Sequence, residues 1–320
     1  MNYDAIIVGG SHAGLSAAMA LGRLRRKALV LDDSLPRNRF SGHANNLVGL
    51  DGIDPNEWRA QARRDLARYL TIEFESDRLI ALEPEEGGFR GTSKSGATLW
   101  TRKVILAHGI QDVLPDIQGF AELWGKGVYH CPYCHGFEVQ NQILAVMGDE
   151  AVLKHMVPML MGLSSRVVAL SNGQELTEDT LGAFQKASVD IHLESVEQLN
   201  YDDQGLQSIH LTGAGSVPVN ALFYGRMAPL TLSSDLHEQL GCDRDEMGRL
   251  VINPLGETSI PGVFAAGDMA SMQQSVAGAM ASGQMAGSGA VHQLLQEDFQ
   301  KKISQGIRTA SPRMKDESQG

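Results

Sequence analysis

The sequence predicts an α/β fold with two Rossmann-like units, and three observations carry that prediction. A short apolar strand beginning at Ala5 runs straight into a glycine turn and a small-residue helix. A second strand–turn–helix start of the same kind opens at Ile143. Near the end, another apolar strand closes on Gly267-Asp268 ahead of a Gly/Ala-rich helix.

Ala5-Ile6-Ile7-Val8 is an uninterrupted apolar run, as suits a strand covered on both faces. The turn after it, Gly9-Gly10-Ser11-His12-Ala13-Gly14, is a G-x-G-x-x-G pattern with Ser11 in the middle-glycine place. Gly9 permits the tight turn and Gly14 close helix packing, while the free N–H groups of the helix N-terminus face a pyrophosphate. A second strand, Ala28–Leu31, delivers Asp32 about 20 residues past the glycines, where an acid binds ribose hydroxyls. Asp33 is the neighbouring candidate.

A polar loop follows, then an amphipathic helix over 56–70 in which Trp58 reads as packing. Residues 78–102 alternate around glycine turns as a three-stranded antiparallel meander. An apolar strand over 104–107 ends at His108-Gly109, and Pro115 and Gly119 place a boundary near residue 116. In the second unit, strands fall at 166–170 and 189–193, a hairpin turns at 202–205, and 221–225 closes the unit. A helix spans 274–295, and the polar residues 298–320 read as a flexible tail.

The formal net charge of −11 argues against nucleic acid and anionic membrane surfaces as partners. No apolar run approaches the ~20 residues of a membrane span. The first strand starts too early for a signal peptide, so the expected location is cytoplasmic. Three cysteines do not make a disulfide framework. Cys242 reads as a small buried residue. The other two stand in His130-Cys131-Pro132-Tyr133-Cys134-His135-Gly136, a C-x-x-C pair that can cycle between dithiol and disulfide. Zinc is not expected there: four ligands within six residues would strain a tetrahedral site.

Together these motifs resemble the low-molecular-weight thioredoxin reductase family of flavoproteins, over roughly residues 1–297. The resemblance implies FAD as cofactor and a discontinuous FAD-binding domain, 1–116 and 244–297. An NAD(P)-like domain, 117–243, carries the C-x-x-C and is inserted between, each domain bearing a small meander or hairpin. It places Gly9, Ser11, Gly14 and Asp32 at the pyrophosphate and ribose, and Asn46, Ala107 and Gly109 near the flavin. Asp268, beside Gly267, falls at the ribityl–phosphate region, and Gln274, Ser275 and Val276 along the ring. It makes Cys134 the sulfur facing the flavin, Cys131 the sulfur that exchanges with substrate, and His135 the proton carrier, with His130 as a second candidate. His12 and His108 read as structural, on cofactor-side turns. Pro36-Arg37-Asn38-Arg39 and Cys131-Pro132-Tyr133-Cys134-His135-Gly136 look most like the branch of dithiol oxidases that close gliotoxin- and holomycin-type disulfides. A deep-branching group lacking the usual NADPH site is similar too. Homodimers through the FAD domain are the family's habit.

The second glycine turn is degenerate. Gly148 fills the first place, but Glu150 stands in the middle and Leu153 in the last. Glu150 adds bulk and negative charge where a pyrophosphate would approach. Ser171-Asn172-Gly173 replaces the family's basic cluster, and Pro158 falls inside the following helix, where it would kink it. NADPH is therefore not the expected electron source. Three routes follow. The favoured one is a dithiol oxidase using oxygen, fed by a small dithiol. The alternatives are a reductase of a thioredoxin-like disulfide fed by ferredoxin, and a flavin-bound redox sensor.

Overall fold

The structure, a computed structural model, describes residues 2–225 and 228–309. In chain order, β1 (Asn2–Val8) leads into α1 (His12–Arg23) and β2 (Ala28–Leu31). A 3-10 turn at Arg37–Phe40 precedes α2 (Pro55–Leu66), β3 (Ile72–Glu75) and β4 (Leu79–Glu85). Next come β5 (Gly88–Ser93), β6 (Thr98–Leu106) and the short β7 (Ile110–Gln111). The middle of the chain holds α3 (Phe120–Leu123), β8 (Val128–Tyr129), α4 (Pro132–His135), β9 (Ile143–Met147) and α5 (Glu150–Met161). It continues through β10 (Arg166–Leu170), α6 (Glu178–Lys186), β11 (Asp190–His192) and β12 (Val196–Asp202). β13 (Gly205–Leu211), β14 (Gly215–Pro218) and β15 (Ala221–Tyr224) complete it. Last are β16 (Thr231–Leu232), α7 (Leu236–Leu240), β17 (Val263–Ala265) and α8 (Val276–Thr309).

Among the described residues these elements form two large sheets and two small antiparallel ones, one of them the β7–β16 pair. In the first, strands run β3-β2-β1-β6-β5-β4, with β17 parallel to β6. Val8, Leu31, Leu106 and Ala265 end level on neighbouring parallel strands, so their turns open at one edge of the sheet. That edge is where a Rossmann sheet takes its ligand. β6 serves twice: residues 98–101 pair antiparallel with β5, and 104–106 pair parallel with β17. The third strand of the meander and the strand after it, read as separate elements in the sequence, are thus one continuous strand. In the second system the parallel order is β11-β10-β9-β15-β8, beside an antiparallel β12-β13-β14 ribbon. No helix among the described residues is long and apolar enough to cross a membrane.

Small residues draw the helices close. A Cβ on Gly14 would lie 1.8 Å from the Gly9 carbonyl oxygen, and one on Gly283 of α8 would lie 2.1 Å from that of Ala13. α8 therefore lies directly against α1, joining the chain's end to its beginning. α2 starts cleanly because Asp54 accepts the N–H groups of Asn56 and Glu57, with Pro55 in the first turn. It ends at Leu66, and Leu70, expected on its apolar face, is 93% exposed.

Two expected boundaries are corrected by packing. Leu230, Leu232, Leu236, Leu240 and Cys242 pack with Val8, Leu31 and Leu106 of the first sheet, so the chain returns to that core well before residue 244. At the first crossing, Leu114 and Ile117 already pack with the second core, close to the expected 116. Residues 298–309 do not fray: α8 continues to Thr309, and Arg26 and Arg102 bind Asp298 at 2.7 and 2.8 Å. Arg102 also binds Glu297 at 2.8 Å, which fastens the extension to β6. Residues 310–320 lie outside the described residues. Pro158 sits within α5, which runs on through it from Glu150 to Met161.

Candidate active site

A trough opens along the edge where the first sheet's turns converge. It has two compartments, of about 210 and 430 Å³, which share Ser11, Ala107 and His108 in their walls. Gly9, Ser11, Asp32 and Ala107 line the larger one. Asn46, Gly109, Gly267 and Asp268, with Gln274, Ser275 and Val276, line the smaller. Gly14 does not line it; its role is the close helix contact. Cys134 and His135 close the smaller compartment from the second unit, and Cys131 lies just outside it. Chain positions more than 260 residues apart in sequence thus meet in one cleft, as from Ser11 to Gln274.

The larger compartment suits a diphosphate. Gly9 has φ +106°, and a Cβ there would stand 2.4 Å from the Ala107 carbonyl oxygen. Ser11 occupies the N-cap of α1, yet its side chain makes no capping hydrogen bond, and the first turn holds no acid. The helix N-terminus therefore offers its N–H groups and positive dipole end to an anion. Asp32 is held by Arg63 at 2.6 Å, which fixes the carboxylate at the end of β2. This cradle fits the adenosine diphosphate half of FAD.

The smaller compartment is crossed by a knot the sequence did not announce. Arg37 binds Asp112 through Nε and Nη2, at 2.6 to 3.0 Å. Its Nη1 donates to Asp268 at 3.1 Å and to Gln274 at 2.7 Å. Asp268 and Gln274, expected to face a cofactor, thus also meet each other through one guanidinium. Burial pushes the Asp268 carboxyl up, with Arg37 opposing. Planar bidentate pairing makes Arg37 a rigid strut.

The second unit docks on this trough through its C-x-x-C. The Asn45 side-chain amide donates to the Cys134 carbonyl at 2.9 Å, and His135 Nε2 lies 3.1 Å from Ser41 Oγ. Cys131 caps the single turn of α4, and both sulfurs are free thiols here. The Cys131 thiol is pushed down by the hydrogen bond from Cys134, then by backbone N–H groups and Arg37. Cys134 is pushed up by the same hydrogen bond and by burial. The pair is asymmetric: Cys131 holds negative charge more readily, and Cys134 keeps its proton. Burial, with His43 nearby, lowers His135 to about 4, so its ring is neutral near pH 7. His130, lowered to about 3 by burial and then Arg37, is neutral too. His12 and His108 both line the trough. His12 packs on Trp58 at 4.3 Å, and neither buried ring nitrogen of His108 has a hydrogen-bond partner among the described residues.

The turn at Gly148 is closed by its own side chains. Asp149 accepts the Val152 N–H at 2.9 Å, capping α5. Glu150 accepts from the hydroxyls of Thr177 and Thr180 and pairs with Lys154 at 2.9 Å. Ser171-Asn172-Gly173 turns inward: Ser171 Oγ donates to the Gln174 carbonyl at 2.6 Å, and Asn172 accepts the Val196 N–H at 2.8 Å.

Arg37, Asp112, Ser41 and Asn45 were not assigned from sequence, although Arg37 stands in a motif that was noticed. Their partners lie 75 or more positions away, and nothing in local spacing points to them.

The family model described as pyridine nucleotide-disulphide oxidoreductase matches residues 3–286. Over 94% of its length the chain is 35% identical to Thioredoxin reductase tcpT of Claviceps purpurea, covering 97% of that protein. It is 31% identical to Thioredoxin reductase sirT of Leptosphaeria maculans, over 93% of this chain and 96% of that one. An oxidoreductase structure from Agrobacterium tumefaciens is similar at TM-score 0.85 and 34% identity, across 92% of this chain and 99% of that one. The structure of HlmI is similar at TM-score 0.90 and 32% identity, across 96% and 97%.

Proposed function

The chain belongs to the pyridine nucleotide-disulphide oxidoreductase family, and from that premise we propose that it is an FAD-dependent dithiol oxidase that works without NADPH. The observation that carries this reading is the self-capped turn at Gly148. A carboxylate fixed by two hydroxyls and a lysine stands where a second dinucleotide would need open N–H groups. FAD is the family's cofactor, and when bound it supplies the two-electron chemistry that links the cysteine pair to oxygen. The α1 N-terminus and Asp32 would hold its adenosine diphosphate half, and the smaller compartment, beside Cys134, its redox end.

The chemistry of the chain's own residues is thiol–disulfide exchange. A substrate thiolate attacks the Cys131 sulfur of the oxidised pair, the Cys131–Cys134 bond breaks, and Cys134 leaves as a thiol after gaining a proton. The substrate's second thiolate then attacks the mixed disulfide at its own first sulfur, releasing Cys131 and an oxidised substrate. The lowered pKa of Cys131 speeds that release, because a more acidic thiol is a better leaving group. His135 carries the proton between substrate and Cys134.

The test is anaerobic stopped-flow of the FAD-loaded protein against a small dithiol, NADPH, NADH and reduced ferredoxin in turn. Dithiol should bleach the flavin, and Cys134→Ser should keep FAD yet lose that reaction. Rapid bleaching by micromolar NADPH would sink the oxidase. The relatives' thioredoxin reductase names favour a second reading, in which a thioredoxin-like disulfide is the acceptor; with the Gly148 turn closed, its donor would be a non-pyridine one such as ferredoxin. Bleaching by ferredoxin alone would select it.

A further inference from the structure

The proton chemistry of His135, as read above, can be traced to one hydroxyl. Ser41 Oγ lies 3.1 Å from His135 Nε2. A serine hydroxyl has one proton to give and two lone pairs to fill. Here the proton goes to the His43 carbonyl at 2.7 Å, and one lone pair receives the His43 N–H at 3.4 Å. The remaining lone pair can only accept from the imidazole, so Nε2 must carry the ring proton. Nδ1 is then a bare lone pair, and it is buried with no hydrogen-bond partner among the described residues. The ring cannot readily turn to exchange the two nitrogens. It is stacked on Tyr129 at 4.5 Å between centroids, with the planes only 13° apart. The Asn45 amide anchors the adjacent Cys134 carbonyl to the same loop.

We propose that Ser41 is a positioning residue that locks His135 in the Nε2–H form, making Nδ1 the atom that takes and returns the thiol proton. The proposal rests on His135 being the proton carrier. In the exchange step the S–H bond of the substrate thiol breaks and an N–H bond forms at Nδ1. The imidazolium so made keeps its Nε2–H on Ser41. It then returns the Nδ1 proton to the Cys134 sulfur as the Cys131–Cys134 bond breaks, so one proton is moved and none is left over. The groups shown to act on the ring are His43 on the Ser41 loop, Tyr129 at the end of β8 and His130 just beyond it. No carboxylate is among the influences on His135, so nothing there competes with Ser41 for the ring proton.

The test reads the ring directly. In the uniformly 15N-labelled, FAD-loaded protein, two-bond 15N–1H correlation should show His135 as the Nε2–H form alone. Ser41→Ala should yield a mixture or the Nδ1–H form, and Ser41→Thr should restore the original pattern. The same Ser41→Ala variant should keep its FAD and its KM for dithiol while the bleaching rate falls roughly 10- to 100-fold, with an altered pH profile. An Nδ1–H ring in the parent protein, or a ring and a rate both indifferent to Ser41→Ala, would overturn the proposal. A changed tautomer with an unchanged rate overturns it also. Bleaching by NADPH and not by dithiol would remove the oxidase reading, while the ring assignment, read by NMR, would stand.

Discussion

Two strand–turn–helix units of the same form sit in one chain, and they treat the same helix terminus in opposite ways. In the first, the α1 N-cap residue Ser11 leaves the N–H groups uncapped and no acid stands in the first turn. In the second, Asp149 caps α5 and Glu150 follows it immediately. Gly9 takes a positive φ, whereas Gly148 is not among the positive-φ glycines. Where Gly14 lets α1 touch the turn, the corresponding place on α5 is taken by Leu153, which is fully buried in the second unit's core. A helix N-terminus is thus an anion site only while the protein leaves it unsatisfied. Once side chains complete it, the same scaffold becomes a stable wall.

The largest expected effect comes from making the first turn resemble the second. Ser11→Glu should weaken FAD binding by roughly a hundredfold or more, since it sets like charges together at a desolvated contact. Equilibrium flavin titration reads this, and an unchanged affinity would mean the pyrophosphate does not lie on α1. A smaller difference should appear in stability. Asp149→Ala should cost about 1 kcal/mol in urea unfolding, the usual worth of an N-cap. Ser11→Ala, which removes no capping bond, should stay within about 0.5 kcal/mol. Equal losses would erase the contrast.

The smallest effect is a pH dependence. Hydrogen bonds from Thr177, Thr180 and Lys154 hold the Glu150 carboxyl at about 2, below its ordinary 4.5. Its folded value is depressed, so its stabilisation is complete above the ordinary value and is lost as pH falls from there toward 2. Thr180→Val, close in shape, should flatten that part of the curve when urea midpoints are compared between about pH 5 and pH 3. If the two curves fall in parallel, the Thr180 hydroxyl does not hold Glu150.

What was legible in the sequence was local. The Gly9–Gly14 turn, Asp32, Gly267-Asp268 and the C-x-x-C are fixed-offset patterns, and a glycine without room for Cβ announces itself at short range. The meander was legible from alternation, although its third strand merged with the next because β6 exchanges one neighbour for another without a break. The return of the chain to its first core was placed late. Leu230 to Leu240 is too short and mixed a run to reveal which sheet it covers. Arg37, Ser41 and Asn45 were out of reach for a different reason. A polar loop residue carries no periodicity, and its meaning depends on partners brought near only by the finished fold.

The joining of α8 to α1 has a consequence for synthesis. The walls of the smaller compartment at Gly267, Asp268 and Gln274 come from the last part of the chain, and β17 adds the final strand beside β6. The second unit, by contrast, is continuous between the two crossings and can fold as it leaves the ribosome. Its neighbour must wait, half-built, with the central strand short of a parallel partner and the small-residue face of α1 bare. If FAD lies along this trough as proposed, its capture belongs to the end of translation, and a chain stalled before α8 should be colourless, whatever the state of its cysteines.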